Sequence, residues 1–444
     1  MNDKFSLMGN VAAAFRPSST YFDMPLPEPV IELQLVPVRD TNKDSVFNWV
    51  DIGVKYRNQF IKRNANMDYA LRDSVLGKID TAAGFGNIQN YSQLIEQIRA
   101  IDFAPQTIWL VGAHTPPAGN YVDPPYSEKP DPSHNGDNDY DYFAFKKDAE
   151  KIGARVGIHE LFQDASKSNY DWDPNMPLKL DEYGNPKGTW GGTGWHVYAK
   201  ALNVMLADGS FQRSLDKHLN EWDVRSGDTW HWDCLTAMGG QQDYSPVHPA
   251  TNGTDIRDCI KILKYIKSKG IHMTSEGLQE GMSEFCDIGW SAQINLGPPW
   301  GGFQNAQTIP LTPVLFQGMT YYCFAYKPAY TLLYGGKGAY ESTKLGGKQA
   351  AIDGYFSTDV FYRKIADRTV QNMIKTEKGW RVEYTQGGSL DVDLADMSDA
   401  MTFVMSIDGE TFTPDNPPPS PWGVKATRVD GKFNVVYPKD KKKN

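Results

Sequence analysis

The strongest constraint on the fold is a repeated alternation of short apolar runs with amphipathic segments, which begins near residue 75. The apolar runs have the length and the β-branched and aromatic content of buried strands, and the intervening segments carry apolar residues at helical spacing. The clearest helix is predicted over 254–270, with Thr254 and Asp255 at its start and Gly270 at its end. The predicted strands are 106–115, 154–160, 228–234 and 271–276, and the other predicted helices are 46–66, 90–102, 142–153 and 209–222.

Strands that are apolar throughout and alternate with helices indicate a parallel sheet that is covered by helices. The number of such units, over about 270 residues, favours a (β/α)8 TIM-type barrel over an open doubly wound sheet. Neither GxGxxG nor GxxxxGK[ST] follows any of these strands, which argues against a nucleotide-binding protein.

The pattern changes after about residue 350, where alternation with period two is interrupted by turn signals such as QGG and PDNPPPSP. We therefore predict an N-terminal β-rich remnant (1–45), the (β/α)8 barrel (46–345) and a C-terminal antiparallel, β-sandwich-like domain (346–444). The remnant is predicted from the alternating stretch VIELQLVPV and is too short to form an independent domain.

Composition narrows the classes of partner. The net charge of -9 argues against nucleic acid, because phosphate binding gains from basic side chains. Four cysteines without a CxxC pair are typical of free, buried thiols. No run of transmembrane length and no convincing signal peptide are present, so the sequence fits either a cytoplasmic protein or a secreted or cell-surface one given without its signal. Aromatic residues make up 12% of the chain, and their faces suit sugar rings among other flat ligands.

Polar residues stand at the carboxyl ends of the predicted strands, where barrel enzymes carry their catalytic groups. They are His114, then His159 with Glu160, then Asp233, then Glu276. Asp233 and Glu276 end consecutive predicted strands and are 43 residues apart. Adjacent strands are about 4.8 Å apart, so two such carboxylates can lie about 5–5.5 Å from each other, as in retaining glycoside hydrolases.

Retaining hydrolysis needs an ionised carboxylate that attacks the anomeric carbon and a protonated carboxyl group that donates its proton to the leaving oxygen. We assign Asp233 as the nucleophile and Glu276 as the acid/base, with Glu280 as a competitor for the second role. Either carboxylate alone is equally compatible with a helix cap or an ion pair with Lys or Arg. Their occurrence on successive strands favours the catalytic interpretation.

Several further side chains are candidates for sugar binding. On the Asp233 strand, alternation places His231 and Asp233 on the inner face and Trp230 and Trp232 on the outer face. A histidine at a strand end donates to a sugar hydroxyl, orients a carboxylate or is purely structural, and loop tryptophans form a sugar platform or pack. The candidate substrate-binding residues are His114, His159, Trp190, Trp195, His231 and Trp300.

No cofactor is required by this chemistry, but one acidic loop is a candidate calcium site. Asp137, Asp139 and Asp141 alternate in GDNDYD, and alternating acids can bind Ca²⁺. The loop lacks the glycine and glutamate of an EF-hand, so a solvated acidic loop is the default interpretation.

Four stretches in order resemble a known family. NWVDIGVKYRNQF (48–60), VGIHELFQDASKSNY (156–170), WHWDCLTA (230–237) and GIHMTSEG (270–277) resemble the barrel core of the endo-α-N-acetylgalactosaminidases of glycoside hydrolase family 101, and the related enzymes of family 129. The resemblance covers roughly residues 45–340. It implies a retaining hydrolase that releases α-linked N-acetylgalactosamine, or a disaccharide containing it, from Ser or Thr of mucin-type O-glycans.

The resemblance also implies site residues, and the chain departs from the family in two places. The family nucleophile corresponds to Asp233, its acid/base to Glu276 and a substrate-binding histidine to His159. Family members usually carry a large β-sandwich before the barrel, whereas at most a remnant precedes residue 45 here. GAHTPPAGNYVD (112–123) replaces the Gly-His-Asp substrate loop, and Asp123 is the candidate for its acidic role.

Three hypotheses remain open at the level of sequence. The first is a retaining α-glycosidase acting on O-glycans, with a carbohydrate or glycoprotein as its substrate. The second is a barrel hydrolase for other α-galactosides or α-glucosides, and the third is a catalytically silent sugar-binding barrel. Retention of both Asp233 and Glu276 favours a hydrolase, because a binding module needs no proton donor.

Overall fold

The chain has 444 residues. The predicted N-terminal remnant lies almost entirely outside the residues whose structure is described. The computed structural model describes residues 40, 44–63, 73–84, 91–111, 140–167, 172–189, 197–233, 235–236, 240–276, 282, 285–290, 310–318, 321–324, 328–338, 340–341, 347–394 and 402–438.

Parallel strands in the described part of the chain form a closed ring. The strands of this region are β1 (Ile79–Gly84), β2 (Gln106–Val111), β3 (Arg155–Glu160), β4 (Asp164–Ser166), β5 (Val197–Ala199), β6 (Thr229–Trp232), β7 (His272–Glu276), β8 (Ile288–Trp290), β9 (Tyr321–Phe324), β10 (Gly336–Gly338) and β11 (Tyr340–Glu341). β4 and β5 pair only with each other, in the segment that links β3 to β6. β10 pairs with β9 and β11 pairs with β1, and Ala339 alone separates them, so together they fill an eighth position and close the ring. The predicted (β/α)8 barrel is confirmed.

The strand registers decide which side chains point into the barrel. Trp109 of β2 is opposite Gly157 of β3, and His231 of β6 is opposite Thr274 of β7. These residues share the inner face because side chains at matched positions of paired strands point the same way. A Cβ atom on Gly157 would lie 1.4 Å from the carbonyl oxygen of Thr229, so glycine is required where β3 approaches β6.

Helices cover the outer face of the ring. Trp232 stacks on Phe211 at 6.1 Å between ring centroids, and Trp230 lies 6.1 Å from the ring of His218. Both partners belong to one helix, so the predicted outward orientation of the two tryptophans is confirmed. The helices around the ring are α1 (Trp49–Arg63), α2 (Tyr91–Ala100), α3 (Tyr142–Lys151), α4 (Leu202–Ala207), α5 (Ser210–Glu221), α6 (Asn252–Ser268), α7 (Leu311–Phe316) and α8 (Pro328–Leu333).

The helix predicted over 254–270 starts earlier than expected. Its N-cap is Thr251, whose Oγ1 accepts a hydrogen bond from the backbone N–H of Thr254 at 3.2 Å. Asp255 serves another purpose, since its carboxylate receives the ammonium of Lys179 at 2.6 Å. Gly270 has φ +73°, the left-handed conformation that ends helices, and β7 follows two residues later.

An antiparallel sheet follows the barrel, as predicted for the C-terminal region. A helical segment precedes it: α9 (Lys348–Gly354), a π-helical turn (Tyr355–Asp359) and α10 (Val360–Ile365). Arg57 ties sheet to barrel, because its Nη1 donates to the carbonyls of Val314 at 3.1 Å and Val370 at 2.6 Å. The domain boundaries at 45 and 345 stay predictions. The sheet strands are β12 (Val370–Lys375), β13 (Gly379–Tyr384), β14 (Ser389–Asp393), β15 (Phe403–Ile407) and β16 (Glu410–Phe412), and β17 (Lys425–Val429) pairs with β18 (Lys432–Val436).

Two of the four cysteines, Cys259 and Cys286, are buried free thiols, as predicted. The side chains of Cys234 and Cys323 lie outside the described residues. Across the residues that the structure describes, no helix combines the length and apolar character needed to cross a membrane.

Candidate active site

Asp233 and Glu276 lie side by side at the carboxyl end of the barrel. Asp233 directly follows β6, and Glu276 is the last residue of β7. The register pairs Trp232 with Ser275, so the next residues, Asp233 and Glu276, occupy neighbouring positions on adjacent strands, whose backbones are about 4.8 Å apart. The structure thus brings together the two residues to which the sequence assigned the chemistry.

Backbone contacts hold both carboxylates in place. The N–H of Asp233 donates to the carbonyl of Glu160 at 2.8 Å, which extends the β3–β6 pairing by one residue. The hydroxyl of Thr236 donates to the carbonyl of Glu276 at 2.8 Å and so ties the loop after β6 to the end of β7. The Asp233 side chain is 17% exposed, which leaves it open to a ligand at the mouth of the barrel.

Two histidines from neighbouring strands face Asp233. The Nε2 atom of His159 is 3.6 Å from an Asp233 carboxylate oxygen, and the side chain of His159 is 14% exposed. His231 lies one layer deeper and is fully buried. One potential ligand atom from each of His159, His231 and Asp233 lies within 4.8 Å of the other two. Two of the three histidines proposed from the sequence, His159 and His231, therefore adjoin the nucleophile candidate.

Trp109 on β2 forms the wall behind these histidines. Its ring stacks on His231 at 3.9 Å between centroids with an interplanar angle of 10°, and it lies 5.6 Å from the ring of His159. Trp290 at the end of β8 meets Trp109 edge-on at 4.8 Å. Sequence reasoning missed both tryptophans. Trp109 stands in an apolar strand, so its sequence context does not indicate that its ring lies beside the two histidines.

Burial keeps both histidines neutral at physiological pH. It lowers the pKa of His159 to about 4, and the charge of Glu276 only partly opposes this effect. Burial lowers the pKa of His231 well below its ordinary value, and His159 adds to that effect. The positive charge that a protonated histidine would bring next to Asp233 is therefore absent near pH 7.

His231 contacts β7 through a hydroxyl group. Its Nδ1 atom is 2.8 Å from the hydroxyl oxygen of Thr274, and that oxygen is in turn 3.5 Å from the carbonyl oxygen of Trp230. A neutral imidazole nitrogen either donates or accepts, so the tautomer decides the direction of the 2.8 Å contact. In the tautomer in which Nδ1 donates, the hydroxyl proton is directed to the Trp230 carbonyl and the lone pair of His231 is on Nε2.

A third carboxyl group, Asp164, is affected by the charge of Asp233 and was not singled out from the sequence. It begins β4, is 2% exposed and accepts a hydrogen bond from the hydroxyl of Thr189 at 3.1 Å. Burial raises the pKa of Asp164 to about 7, and the charge of Asp233 raises it further, against the lowering effect of the Thr189 hydrogen bond and of two lysines. Asp164 therefore holds a proton through much of the acidic and neutral range.

Buried polar contacts join the loops after β3 and β6 into one rim. The carboxylate of Asp243 accepts from the backbone N–H of Leu180 at 2.9 Å and is 2.8 Å from Nδ1 of His248. Lys187 donates to the carbonyl of Gln242 at 2.9 Å. Gly240 is needed where this loop crosses the start of α6, because a Cβ atom there would lie 1.8 Å from the carbonyl oxygen of Asn252.

Glu160 lies at the end of a strand but outside the site. Its carboxylate is fully buried against the helical layer, 2.6 Å from Nε2 of His218. Side chains alternate along β3, so the inward position of His159 forces Glu160 outward. Being at a strand end is thus insufficient, and the face of the strand decides which polar group can act.

The other sequence predictions are only partly tested. Asp141 caps α3, since its Oδ1 accepts from the N–H of Ala144 at 2.9 Å, and the calcium expectation for its loop stays a prediction. The remaining candidates lie outside the described residues: His114, Asp123, Asp137, Asp139, Trp190, Trp195, Glu280 and Trp300.

No family model matches the sequence, and no curated protein is significantly similar to it. Solved structures, in contrast, are similar in fold. The ligand-free α-N-acetylgalactosaminidase NagBb from Bifidobacterium bifidum aligns with a TM-score of 0.62 at 16% identity, over 81% of this chain and 64% of its own. Its GalNAc complex aligns at 0.61 and 15% identity, over 81% and 63%. A variant of the family 36 α-galactosidase AgaA from Geobacillus stearothermophilus, in complex with raffinose, gives 0.52 at 12% identity, over 87% and 58%.

These similarities establish the architecture. This chain spans less than two thirds of the length of NagBb. At identities of 12–16%, the alignments speak for the fold and leave the chemistry to the side chains described above. The chain has the fold of TIM-barrel glycoside hydrolases with a β domain after the barrel.

Proposed function

We propose that this protein is a retaining glycoside hydrolase that releases α-linked N-acetylgalactosamine, or a disaccharide containing it, from mucin-type O-glycans. The observation that carries the proposal is the placement of Asp233 and Glu276 at adjacent strand ends, beside two neutral histidines. The four motifs that resemble families 101 and 129 support it, as does the shared fold with proteins named as an α-N-acetylgalactosaminidase and an α-galactosidase.

The proposed reaction requires Asp233 to be ionised and Glu276 to be protonated when substrate is bound. A carboxylate oxygen of Asp233 attacks the anomeric carbon while the bond to the aglycone oxygen breaks, and that oxygen takes its electron pair and the proton of Glu276. The product of this step is a glycosyl ester on Asp233. Glu276, now ionised, removes a proton from water, which attacks the same carbon, releases the sugar and regenerates the free Asp233 carboxylate.

The neutral histidines suit this assignment. A cation next to Asp233 would stabilise its charge and reduce its nucleophilicity, whereas a neutral His159 at 3.6 Å exerts no such pull. Its partial exposure allows contact with a sugar hydroxyl. We infer that His159 orients substrate and that Asp233 remains available for attack.

The test is kinetics with an aryl α-N-acetylgalactosaminide and with an O-glycopeptide. Asp233→Asn is expected to lose about 10⁴-fold or more in kcat on both substrates, because it removes the nucleophile. Glu276→Gln is expected to lose about 10²–10⁴-fold on the glycopeptide and much less on an aryl glycoside with a good leaving group, which needs no proton.

Glu160→Gln is the matched control, since Glu160 also ends a barrel strand but points away from the site. It should keep near wild-type turnover, with its fold checked by circular dichroism. Product anomers followed by NMR should show retention. Inversion, or wild-type turnover by Asp233→Asn, would contradict the mechanism.

A second candidate is an α-galactosidase, which the structural similarity to AgaA favours. The same two carboxylates would serve it, and only the group recognising carbon 2 of the sugar would differ. Comparing kcat/KM for aryl α-galactoside and aryl α-N-acetylgalactosaminide separates the two. If neither these substrates nor an aryl α-glucoside is turned over, the sugar-binding barrel is the remaining hypothesis, and sugar binding measured by calorimetry should then persist in Asp233→Asn.

A further inference from the structure

One buried polar atom next to the site is left unused by the proposed reaction. His231 has no exposed surface, and its Nε2 atom finds no hydrogen-bond partner among the residues that the structure describes. The opposite ring nitrogen, Nδ1, contacts the Thr274 hydroxyl, and Nε2 carries the lone pair in the tautomer in which Nδ1 donates to that oxygen. A buried polar atom without a partner is costly, which suggests that another group meets Nε2.

Two more potential ligands lie close to the His231 side chain. His159 Nε2 and an Asp233 carboxylate oxygen are 3.6 Å apart, and one atom from each of the three residues lies within 4.8 Å of the others. In a tetrahedral zinc site with bonds of about 2.0–2.1 Å, neighbouring ligand atoms are about 3.4 Å apart. The 3.6 Å distance between His159 Nε2 and the Asp233 carboxylate oxygen is close to this spacing, and both side chains are partly exposed.

We propose that His159, His231 and Asp233 form a binding site for a borderline-soft divalent metal ion of the Zn²⁺ or Co²⁺ type. Two imidazole nitrogens and one carboxylate oxygen leave the fourth tetrahedral position for water. Ca²⁺ and Mg²⁺ prefer sites built from oxygen, so this donor set selects against them. None of its three ligands belongs to the acidic stretch 137–141.

The contacts around the ligands match what metal sites require. A metal-binding histidine donates its other ring N–H to an acceptor, which fixes its tautomer and orientation. Thr274 gives His231 that acceptor at 2.8 Å, and Trp109 stacks on the ring at 3.9 Å and holds its plane. The exposed fractions of His159 and Asp233 leave an entry path from the mouth of the barrel.

Occupation of this site has a consequence that rests on the proposed function. The metal and the anomeric carbon compete for the same Asp233 carboxylate, so a bound ion removes the nucleophile. The metal therefore acts as an inhibitor that competes with substrate rather than as a cofactor of hydrolysis.

Binding is tested without reference to activity, by titrating metal-free protein with Co²⁺ and recording visible absorption. Tetrahedral Co²⁺ gives intense bands between about 500 and 650 nm, which report the geometry predicted for this site. His231→Phe, which preserves stacking on Trp109, and His159→Gln should each abolish these bands. Thr274→Val should retain the bands and weaken binding about 10–100-fold, because it removes only the supporting hydrogen bond.

The matched control is His248→Gln, since His248 pairs with Asp243 at 2.8 Å on the rim, away from these ligands. It should bind Co²⁺ like the wild type. Bands that persist in both His231→Phe and His159→Gln, or wild-type protein without tetrahedral bands, would overturn the site. Melting curves establish that each variant is folded.

Inhibition by Zn²⁺ distinguishes a failure of the metal site from a failure of the proposed hydrolase function. Zn²⁺ should raise KM for an aryl glycoside with little change in kcat, and His231→Phe should be several-fold less sensitive than His248→Gln. Histidine-dependent Co²⁺ bands in a protein without glycosidase activity would uphold the metal site and refute the function. Zinc inhibition that is equal in His231→Phe and His248→Gln would refute the site and leave the function standing.

Discussion

Replacing Asp164 by Asn should change the pH dependence of stability in a defined direction. Asp164 is 2% exposed, and burial raises its pKa from the ordinary 3.8 to about 7. Between these two values, the unfolded chain has released the proton and the native protein still holds it. Native stability therefore falls as pH rises through this interval, because the unfolded state binds fewer protons.

The magnitude follows from the width of the interval. One pH unit of difference in pKa corresponds to about 1.4 kcal/mol, so the step from 3.8 to about 7 amounts to about 4 kcal/mol. Asn preserves the size of the side chain and the contact with Thr189 at 3.1 Å, and it carries no charge to bury. The variant should equal the wild type near pH 4 and exceed it by up to about 4 kcal/mol at pH 8.

The assay is urea unfolding at intervals from pH 4 to pH 8, with wild type and variant measured side by side. Asp181→Asn is the control, because Asp181 lies in an exposed turn where hydrogen bonds from Asn185 and Tyr183 hold its pKa below the ordinary value. That carboxyl is ionised throughout the range, so the control should follow the wild-type curve. Parallel curves for wild type and Asp164→Asn would show that Asp164 ionises normally and would refute the reasoning.

Three further outcomes follow from buried groups. Lys337→Met should destabilise the protein by about 3–5 kcal/mol in urea unfolding, because it leaves the buried carboxylates of Asp80 and Asp359 without their shared lysine; an unchanged midpoint would contradict this. Burial lowers the pKa of His159 from 6.5 to about 4, so between these pH values the unfolded chain binds a proton that the native protein does not. The free energy of unfolding should therefore fall by about 3 kcal/mol on acidification through that window, and by less in His159→Gln. Trp109→Ala should lower kcat/KM on aryl glycosides and shift the His231 imidazole resonances in NMR, because it removes the ring that stacks on that histidine; unshifted resonances would contradict the role of the stack.

Much of the site depended on features that are local in sequence. Asp233 and Glu276 could be found because strand ends in a parallel barrel converge on one face, whatever the details of packing. Alternation along β6 correctly separated His231 from Trp230 and Trp232, because side-chain direction in a strand depends only on sequence parity. The same rule, applied to β3, would have removed Glu160 from the set of strand-end candidates.

Other features depended on contacts between distant segments. The pKa shifts of Asp164 and His159 follow from burial, which arises from packing between distant segments, and no local pattern encodes desolvation. The start of α6 was predicted too late, because Thr251 and Thr254 are both possible N-caps in the sequence. Only the folded chain shows that Thr251 is the cap and that the Asp255 carboxylate pairs with Lys179.

The sequence by itself determined the alternation of strands and helices, the barrel that this implies, and the two carboxylates at its mouth. These follow from periodicity, which is a property of each segment alone. Only the tertiary structure decided that Trp109 stacks on His231, that the charge of Asp233 acts on Asp164, and that ligand atoms of His159, His231 and Asp233 lie within 4.8 Å of one another. The physical reason is that such distances are set by the closure of the whole ring, to which every strand contributes.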